Sequence, residues 1–431
     1  MKSRLLPLLA TVFALPLFAW DYVIQTNHPD ALYKLGEKAI FTVKVKEKEG
    51  PAPTEGVINV RLDNFGSKEI ASRKWNLADG DTFTMEGTLD EPGFLRLRLT
   101  AKNIKEKNWS VGYEPEKIVK GSPSPADFDE FWANAVKKLE ATIPEDVQQT
   151  LLPERSTGAF NFWRISFATT NNRRVYGFLS VPKDASAQKK YPVRFSVPAA
   201  GYGNWTNNMK GSDNSVRMLI CVYDYEPKFN LDEHKKAYEE MNKRCKEKYG
   251  TSYSHAGIAA SREEYFFYAA LLGINRAVNW LARQPYVNLR DFTYSGTSQG
   301  GGFGFYLTGL NHHFTRAVFY VPAITDTMGY LKGRHSGWPC VIERQPNPEA
   351  KASAEKNAPY FDGANFAARI QCPVRVAVGF SDSTCVPSAV YAAFNNIPVA
   401  DKKIGHGLGM THACFGKFYQ EYGAWEASGE K

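Results

Sequence analysis

The feature that most constrains the fold is the alternation of apolar strands with helical segments from about residue 155 onward. YPVRFSVPAAG, TRAVFYVPAI and CPVRVAVGF read as buried strands, AFNFWRISFATT and RRVYGFLSVP as a strand pair, and SREEYFFYAALLGINRAVNWLARQ as a long helix. Strands that alternate with helices predict a mainly parallel sheet covered on both faces. The predicted fold class is therefore α/β, with functional residues at the carboxyl ends of the strands.

The first 120 residues follow a different pattern. MKSRLLPLLATVFALPLFA combines Lys2 and Arg4 with an apolar run and Ala19, which is typical of a signal peptide over residues 1–19. The run is shorter than the roughly 20 apolar residues of a membrane span. We therefore expect export to the periplasm or secretion.

Residues 20–120 contain short alternating runs, among them AIFTVKVK, GVINVRLDN and GFLRLRLTA, between turn-rich spacers. Such runs predict an N-terminal immunoglobulin-like β-sandwich domain. The segment KGSPSPADFDEF then combines a linker with a helix start, where Ser124 or Asp127 could cap the helix FDEFWANAVKKLEATI. Residues 121–431 form the predicted catalytic domain.

The segment YSGTSQGGGF carries the chemistry of the predicted site. Gly296, Ser298 and Gly300 fit the pattern G-x-S-x-G, with the strand RDFTYS before it and a helix after it. In that context the pattern is typical of a tight turn that exposes a nucleophilic serine. We therefore predict that Ser298 attacks a carbonyl carbon.

A serine nucleophile needs a histidine base and a carboxylate that orients the histidine. Asp382, just after PVRVAVGF, is favoured as the acid; Asp326 is its rival, and Asp362 in YFDGANF resembles a helix cap. His406 and His412 in KKIGHGLGMTHACF both follow as candidate bases, as the usual chain order of such sites requires. If KKIGHG is a strand, His412 lies on the loop after it and is favoured.

The oxyanion of acyl transfer requires N–H donors that are already aimed at it. The backbone N–H of Gln299 and that of Tyr202, in the glycine loop AAGYGNW, are the candidates. Trp205 is close enough in sequence to form a wall of the pocket and stack on a sugar ring; packing beneath the loop is the other interpretation.

Composition excludes several function classes. The net charge is +8, and the basic residues are dispersed among acids rather than clustered, which argues against nucleic-acid binding. No later segment is apolar enough to span a membrane. The cysteines lack C-x-x-C spacing, and adjacent His312 and His313 make a poor ligand pair. We expect neither a metal nor a cofactor.

The catalytic region resembles the acetyl xylan esterase / cephalosporin-C deacetylase family of α/β-hydrolases. The resemblance covers about residues 122–420 and depends on ADFDEFWANAV, AAGYGNW, SGTSQGGG and the long segment YFDGANFAARIQCPVRVAVGFSDSTCVPSAVYAAFN. It implies an α/β-hydrolase domain that removes acetyl groups from sugars, with roles for Ser298, Asp382 and Tyr202. Counting back from THACF aligns His412 with the family's histidine.

Two other functions and one covalent link stay open from the sequence. A serine peptidase of the prolyl-oligopeptidase type shares the turn and the residue order, although about 100 residues are too few for its propeller. A non-catalytic carbohydrate-binding protein is the other alternative. Cys385 and Cys414 flank the predicted acid and base and could form a disulfide or stay free thiols. The sequence does not decide whether the protein forms a homo-oligomer.

Overall fold

The computed structural model describes residues 20–47, 54–101, 104–413 and 415–428. The predicted signal peptide lies outside these ranges, and so does Cys414, one of the two cysteines for which a disulfide and free thiols were both left open. Among the described helices, none combines the length and the apolar character that a membrane crossing requires.

The N-terminal β-domain consists of two small sheets. Strands β1, β3 and β6 form one sheet, and the other has the order β2-β8-β7-β4-β5. The strands are β1 Trp20–Thr26, β2 Leu32–Tyr33, β3 Ala39–Glu47, β4 Val57–Asp63, β5 Glu69–Asn76, β6 Thr82–Gly87, β7 Gly93–Ala101 and β8 Ile104–Tyr113.

The alternation of the sequence places one face of each sheet inside this domain. In β4, Ile58, Val60 and Leu62 are buried, because side chains two residues apart point to the same face. A Cβ on Gly87 of the three-stranded sheet would lie 2.8 Å from Leu62 and 3.1 Å from Leu95 of the other sheet, so the two sheets are in contact. The immunoglobulin-like assignment stays a prediction.

The larger sheet has nine strands within the described residues, in the order β17-β16-β15-β14-β12-β13-β11-β10-β9. The strands from β12 to β17 pair in parallel, whereas β9, β10 and β11 are antiparallel additions at one edge. The strands are β9 Gln148–Leu151, β10 Phe160–Thr169, β11 Arg173–Pro182, β12 Tyr191–Val197, β13 Val216–Ile220, β14 Val287–Thr297, β15 Arg316–Tyr320, β16 Val374–Gly379 and β17 Lys402–Gly407.

Helices connect these strands and confirm the α/β class. They are α1 Phe128–Thr142, α2 Trp205–Asn208, α3 Leu231–Tyr249, α4 Phe266–Ala282, α5 Gln299–Leu310, α6 Pro348–Asn357, α7 Gly363–Ala367, α8 Pro387–Asn395 and α9 Phe415–Ala427. The strand predicted over KKIGHG is confirmed as β17.

The predicted caps had different outcomes. Asp362 caps α7 as expected, by accepting the N–H of Ala364 at 2.9 Å. The prediction that Ser124 or Asp127 caps α1 is wrong. Asp127 is at the N-cap position without a side-chain cap bond and accepts the Tyr360 hydroxyl instead, while Ser124 donates to Asn365 at 2.9 Å. Both side chains therefore bond to residues far along the chain and do not cap the helix.

Helix α4 is buried along nearly its whole length, and it carries a charged residue, Arg276. The Arg276 guanidinium donates to the carbonyl oxygens of Leu139 and Ile143 at the end of α1 and of Pro144 and Ala168, at 2.8 to 3.0 Å. The Leu139 carbonyl also accepts the backbone N–H of Ile143 at 3.0 Å, whereas the last carbonyls of a helix have no partner within the helix. Arg276 therefore joins α1 to α4 through the backbone.

Candidate active site

Ser298 lies at the turn between β14 and α5, near the centre of the sheet. Its backbone has φ 57° and ψ −117°, a combination that is costly for a residue with a side chain. Three hydrogen bonds hold it there: its N–H donates to the Tyr320 carbonyl at 2.9 Å, and its carbonyl accepts from Gly302 at 2.9 Å and Ala323 at 3.0 Å. The strain is thus imposed by neighbouring strand ends.

The two glycines of G-x-S-x-G are required by contact. A Cβ on Gly300 would lie 2.0 Å from the carbonyl oxygen of Val197, at the end of β12, and a Cβ on Gly296 would lie 2.5 Å from Gly300. Helix α5 can therefore begin directly above the sheet only if both side chains are absent. The tight turn predicted from the sequence is confirmed.

A chain of hydrogen bonds leads from Ser298 to Asp382 through His412. His412 Nε2 is 3.0 Å from Ser298 Oγ, and His412 Nδ1 is 2.8 Å from Asp382 Oδ2. Asp382 lies in the acid loop (residues 380–386) after β16, and His412 lies in the histidine loop (residues 408–413) after β17. The structure thus brings the three residues together from the carboxyl ends of three parallel strands.

The burial of the three side chains differs in a way that suits proton transfer. Asp382 is fully buried and Ser298 is 7% exposed, whereas the His412 side chain is 34% exposed. Asp382 Oδ1 accepts the backbone N–H groups of Thr384 at 2.7 Å and Cys385 at 3.0 Å. These two bonds hold the carboxylate so that Oδ2 is directed at the imidazole. Hydrogen bonds to a carboxylate are charge-assisted and are stronger than those between neutral groups.

The two rival residues have other partners. Asp326 binds Arg334, at 2.7 Å between Oδ2 and the guanidinium, and accepts the N–H of Gly121 at 2.5 Å. His406 is within β17, and its Nε2 is 2.6 Å from the Tyr391 hydroxyl oxygen. Burial lowers the pKa of His406, so burial favours the neutral ring.

The two candidate oxyanion donors are held by a pair of buried tyrosines. Tyr253 donates its hydroxyl to Gln299 Oε1 at 2.7 Å. The Tyr223 oxygen accepts the N–H of Gly201 at 2.8 Å and lies 3.1 Å from the Gly201 carbonyl, so it fixes the loop that carries Tyr202. Burial raises the pKa of Tyr223 and of Tyr253, so both remain hydroxyl donors.

The roles of Tyr223 and Tyr253 were not predicted from the sequence. Tyr223 lies just after β13 and Tyr253 just after α3, and these segments bring the two side chains to the site only in the folded structure.

Helix α3 itself has a recognisable start and end in the sequence. Asn230 accepts the N–H groups of the first turn, and Gly250 ends the helix with φ 72°. An Asn before and a Gly after a polar helical run is a general boundary signal, and it could have located the helix.

Trp205 begins α2 and packs among aromatic rings. Its ring is 4.9 Å from that of His234 in an edge contact and 6.4 Å from that of Tyr223. These contacts are those of the packing interpretation, and a role for Trp205 in substrate binding stays a prediction. Tyr202, in contrast, is an exposed large side chain, with its ring 5.7 Å from Tyr238.

Among the described residues, Asp382, Cys385 and His412 place three potential metal-ligand atoms within 4.8 Å of one another. Two of these residues already belong to the hydrogen-bond chain from Ser298. A metal ion would compete with the bond between Asp382 and His412, so the donor set suits proton transfer better than metal binding.

Comparisons with known proteins identify relatives of this chain. The model of the acetyl xylan esterase family matches residues 114–425. The acetyl esterase Axe7A of Xylanibacter ruminicola is 28% identical over 383 residues, which is 88% of this chain and 84% of that protein. This alignment is longer than the family match, so it extends into the N-terminal β-domain.

Two solved structures resemble a large part of the fold. The acetyl xylan esterase from Paenibacillus sp. R4 has a TM-score of 0.59 and 18% identity, covering 73% of this chain and 98% of its own. Acetyl xylan esterase 1 from Thermoanaerobacterium sp. JW/SL YS485 has a TM-score of 0.58, with the same identity and coverage. Both indicate the α/β-hydrolase fold. Since the family model matches well over half of the chain, this protein belongs to the acetyl xylan esterase family and is a carboxylic ester hydrolase.

Proposed function

We propose that this protein is a serine esterase that removes acetyl groups from acetylated xylan or xylo-oligosaccharides through an acyl-enzyme intermediate. The observation that carries the proposal is the Ser298–His412–Asp382 chain, with its distances of 3.0 and 2.8 Å. Membership of the acetyl xylan esterase family supports the choice of substrate.

In the first half of the proposed reaction, Ser298 Oγ attacks the acetyl carbonyl carbon while His412 Nε2 takes the hydroxyl proton. Asp382 holds the ring with Nδ1–H directed at the carboxylate and stabilises the imidazolium that forms. The backbone N–H groups of Gln299 and Tyr202 bind the oxyanion. When the intermediate collapses, the bond to the sugar oxygen breaks and His412 returns its proton to that oxygen.

In the second half, a water molecule attacks the acetyl-enzyme and His412 Nε2 takes one of its protons. Collapse of the second tetrahedral intermediate breaks the bond to Ser298 Oγ, which recovers the proton from His412, and acetate leaves. The 34% exposure of the His412 side chain gives water access to the base.

The test measures acetate release from acetylated xylan and 4-nitrophenol release from 4-nitrophenyl acetate. We expect Ser298→Ala and His412→Ala to lose activity by about 10⁴-fold or more, because members of such a triad act as a unit. His406→Gln is the matched control, since glutamine can still bond to the Tyr391 hydroxyl, and it should keep most of its activity. A Ser298→Ala variant with wild-type turnover would exclude the mechanism.

A rapid-mixing experiment tests the intermediate itself. If an acetyl-enzyme accumulates, 4-nitrophenol appears in a burst proportional to enzyme concentration, and mass spectrometry finds one acetyl group on the peptide containing Ser298. Turnover of peptide amides in preference to acetyl esters would instead favour the peptidase alternative. Binding of xylan without hydrolysis would favour a carbohydrate-binding protein.

We also propose that residues 1–19 direct export and are removed, on the strength of the basic, apolar and small-residue pattern of that segment. Sequencing the N-terminus of the protein expressed in its own cells tests this. A mature chain that begins at or near Trp20 in the periplasmic or secreted fraction is the expected result.

A further inference from the structure

The N-terminal β-domain touches the loops that carry the acid and the base. Phe94 of β7 is in edge contact with Phe380, at 5.1 Å between ring centroids. Phe380 is the first residue of the acid loop and lies two positions before Asp382. The side chains of Phe94 and Phe380 are both fully buried, so the contact belongs to one core that continues from the β-domain into the catalytic domain.

A second contact involves Trp109 of β8 and the histidine loop. A Cβ built on Gly409 would lie 2.0 Å from Cζ3 of the Trp109 ring, so the indole lies directly against the Gly409 backbone. Gly409 has φ 64°, a conformation that favours glycine. It lies three positions before His412. The indole therefore limits where the backbone of the histidine loop can go.

The contact of Trp109 is one of packing rather than of hydrogen bonding. The indole is partly buried against the common core, and its Nε1 is buried with no hydrogen-bond partner among the described residues. A buried tryptophan N–H usually has a partner. The position of this ring is therefore determined by shape, and Gly409 is where the ring meets the histidine loop.

Further contacts support the base of both loops. The Phe94 ring is also 5.7 Å from the ring of Tyr391, and the Tyr391 hydroxyl bonds to His406 in β17. At the end of α8, Asn395 donates to the carbonyl oxygens of Pro115 and Ile118, at 3.0 and 2.9 Å. The chain just after the β-domain is thus tied to the helix that follows the acid loop.

From these contacts we infer that the N-terminal β-domain is a positioning element of the active site, in which Trp109 and Phe94 set the relative position of the histidine loop and the acid loop. The inference rests on the proposed function, since it concerns the distance between His412, Asp382 and Ser298. It assigns the β-domain a role in catalysis without direct contact with substrate. A misplacement of about 1 Å can cost about 100-fold in rate.

The first test compares two tryptophans of the same domain. Trp109→Ala should lower kcat on 4-nitrophenyl acetate by about 10- to 100-fold with a change in KM of less than about 3-fold. Trp109→Phe keeps a ring against Gly409 and should recover most of kcat. Trp75→Ala is the matched control: Trp75 is in β5, an edge strand that β7 and β4 separate from β8 in the same sheet, and its loss should lower thermal stability but not kcat.

The second test is a double-mutant cycle between Trp109 and Gly409. Gly409→Ala adds a methyl group that meets the indole, and it also strains a backbone with φ 64°. The strain is the same in every background, whereas the clash exists only when Trp109 is present. We expect Gly409→Ala to lower kcat about 30-fold in the wild type but only about 3-fold in the Trp109→Ala background.

Circular dichroism and thermal unfolding verify that each variant is folded. If Trp109→Ala does not fold, the cycle is carried out with Trp109→Leu, which keeps apolar volume but no ring. The inference is wrong if Trp109→Ala keeps kcat within about 3-fold of wild type, or if Gly409→Ala is equally harmful in both backgrounds. Wild-type protein with no esterase activity would instead contradict the proposed function. In that case the rate at which a fluorophosphonate labels Ser298 tests the positioning role.

Discussion

Replacing Asp382 by asparagine exchanges one carboxylate oxygen of the hydrogen-bond chain for an NH₂ group. The hydrogen-bond partners of the side chain determine the orientation of the new amide. Oδ1 accepts two backbone N–H groups, from Thr384 and Cys385. An NH₂ group cannot accept them, so the amide oxygen must take this place and the NH₂ group must face His412 Nδ1. The imidazole is then forced to carry its proton on Nε2, 3.0 Å from Ser298 Oγ, where it can no longer take the serine proton.

The size of the effect follows from this change of tautomer. The same substitution in a serine protease triad lowers kcat about 10⁴-fold, which corresponds to about 5.5 kcal/mol at 1.36 kcal/mol for each factor of ten. The buried site should remain folded, because the asparagine keeps a hydrogen bond to each neighbour. We therefore expect a change in the free energy of unfolding of about 1 kcal/mol.

The assay is kcat for 4-nitrophenyl acetate together with urea unfolding of the same preparation. Asp326→Asn is the matched control, since Asp326 is also a buried carboxylate near a strand end but binds Arg334; its kcat should stay within about 3-fold of wild type. A loss of less than about 10-fold in Asp382→Asn, or a greater loss in Asp326→Asn, would refute the tautomer explanation.

Three further predictions concern stability. Arg276→Met should lower the free energy of unfolding by about 2–4 kcal/mol in urea titration, because the carbonyls at the end of α1 lose their donor. Burial lowers the pKa of His406, so its contribution to stability is present above the unfolded value of about 6.5 and is lost as pH falls; His406→Gln should reduce the loss of unfolding free energy between about pH 7.5 and about pH 5.5, measured by urea titration at each pH. Gly300→Ala, with its Cβ 2.0 Å from a carbonyl oxygen, should prevent folding or cost more than about 3 kcal/mol, whereas Gly416→Ala in α9, where nothing lies within 4 Å, should be neutral or stabilise by up to about 1 kcal/mol.

The parts of the fold that could be predicted are those with a local pattern. The apolar runs around Phe195, Phe319 and Val376 became the parallel strands β12, β15 and β16 of one sheet, because continuous apolar sequence is what a sheet covered on both faces requires. The predicted caps of α1 are wrong because contacts with distant residues override the local pattern. Asp127 and Ser124 are good caps locally, but Tyr360 and Asn365 reach them from far along the chain.

The site shows the same division between local and distant contacts. Ser298, Asp382 and His412 each follow a predicted strand, so the rule that parallel strands end at one edge was enough to bring them together. Tyr253 and Tyr223, which bond to Gln299 and Gly201, do not follow a predicted strand. The contact of Trp109 with Gly409 joins two domains. No local sequence pattern determines which side chains meet across such an interface.

Helix α5 has a consequence for the order in which the protein folds. Its sequence, QGGGFGFYLTGL, is rich in the residue that favours a helix least after proline, at about 1 kcal/mol for each glycine relative to alanine. Its glycines instead allow the backbone of other segments to pack closely against the helix. Gly302 lies against the Ala323 carbonyl, and Gly309 lies against the Phe366 carbonyl. The segment cannot form a stable helix in isolation. Ser298 therefore acquires its geometry only after β12, β14 and β15 have assembled, so a folding intermediate without that sheet lacks the Ser298–His412–Asp382 chain.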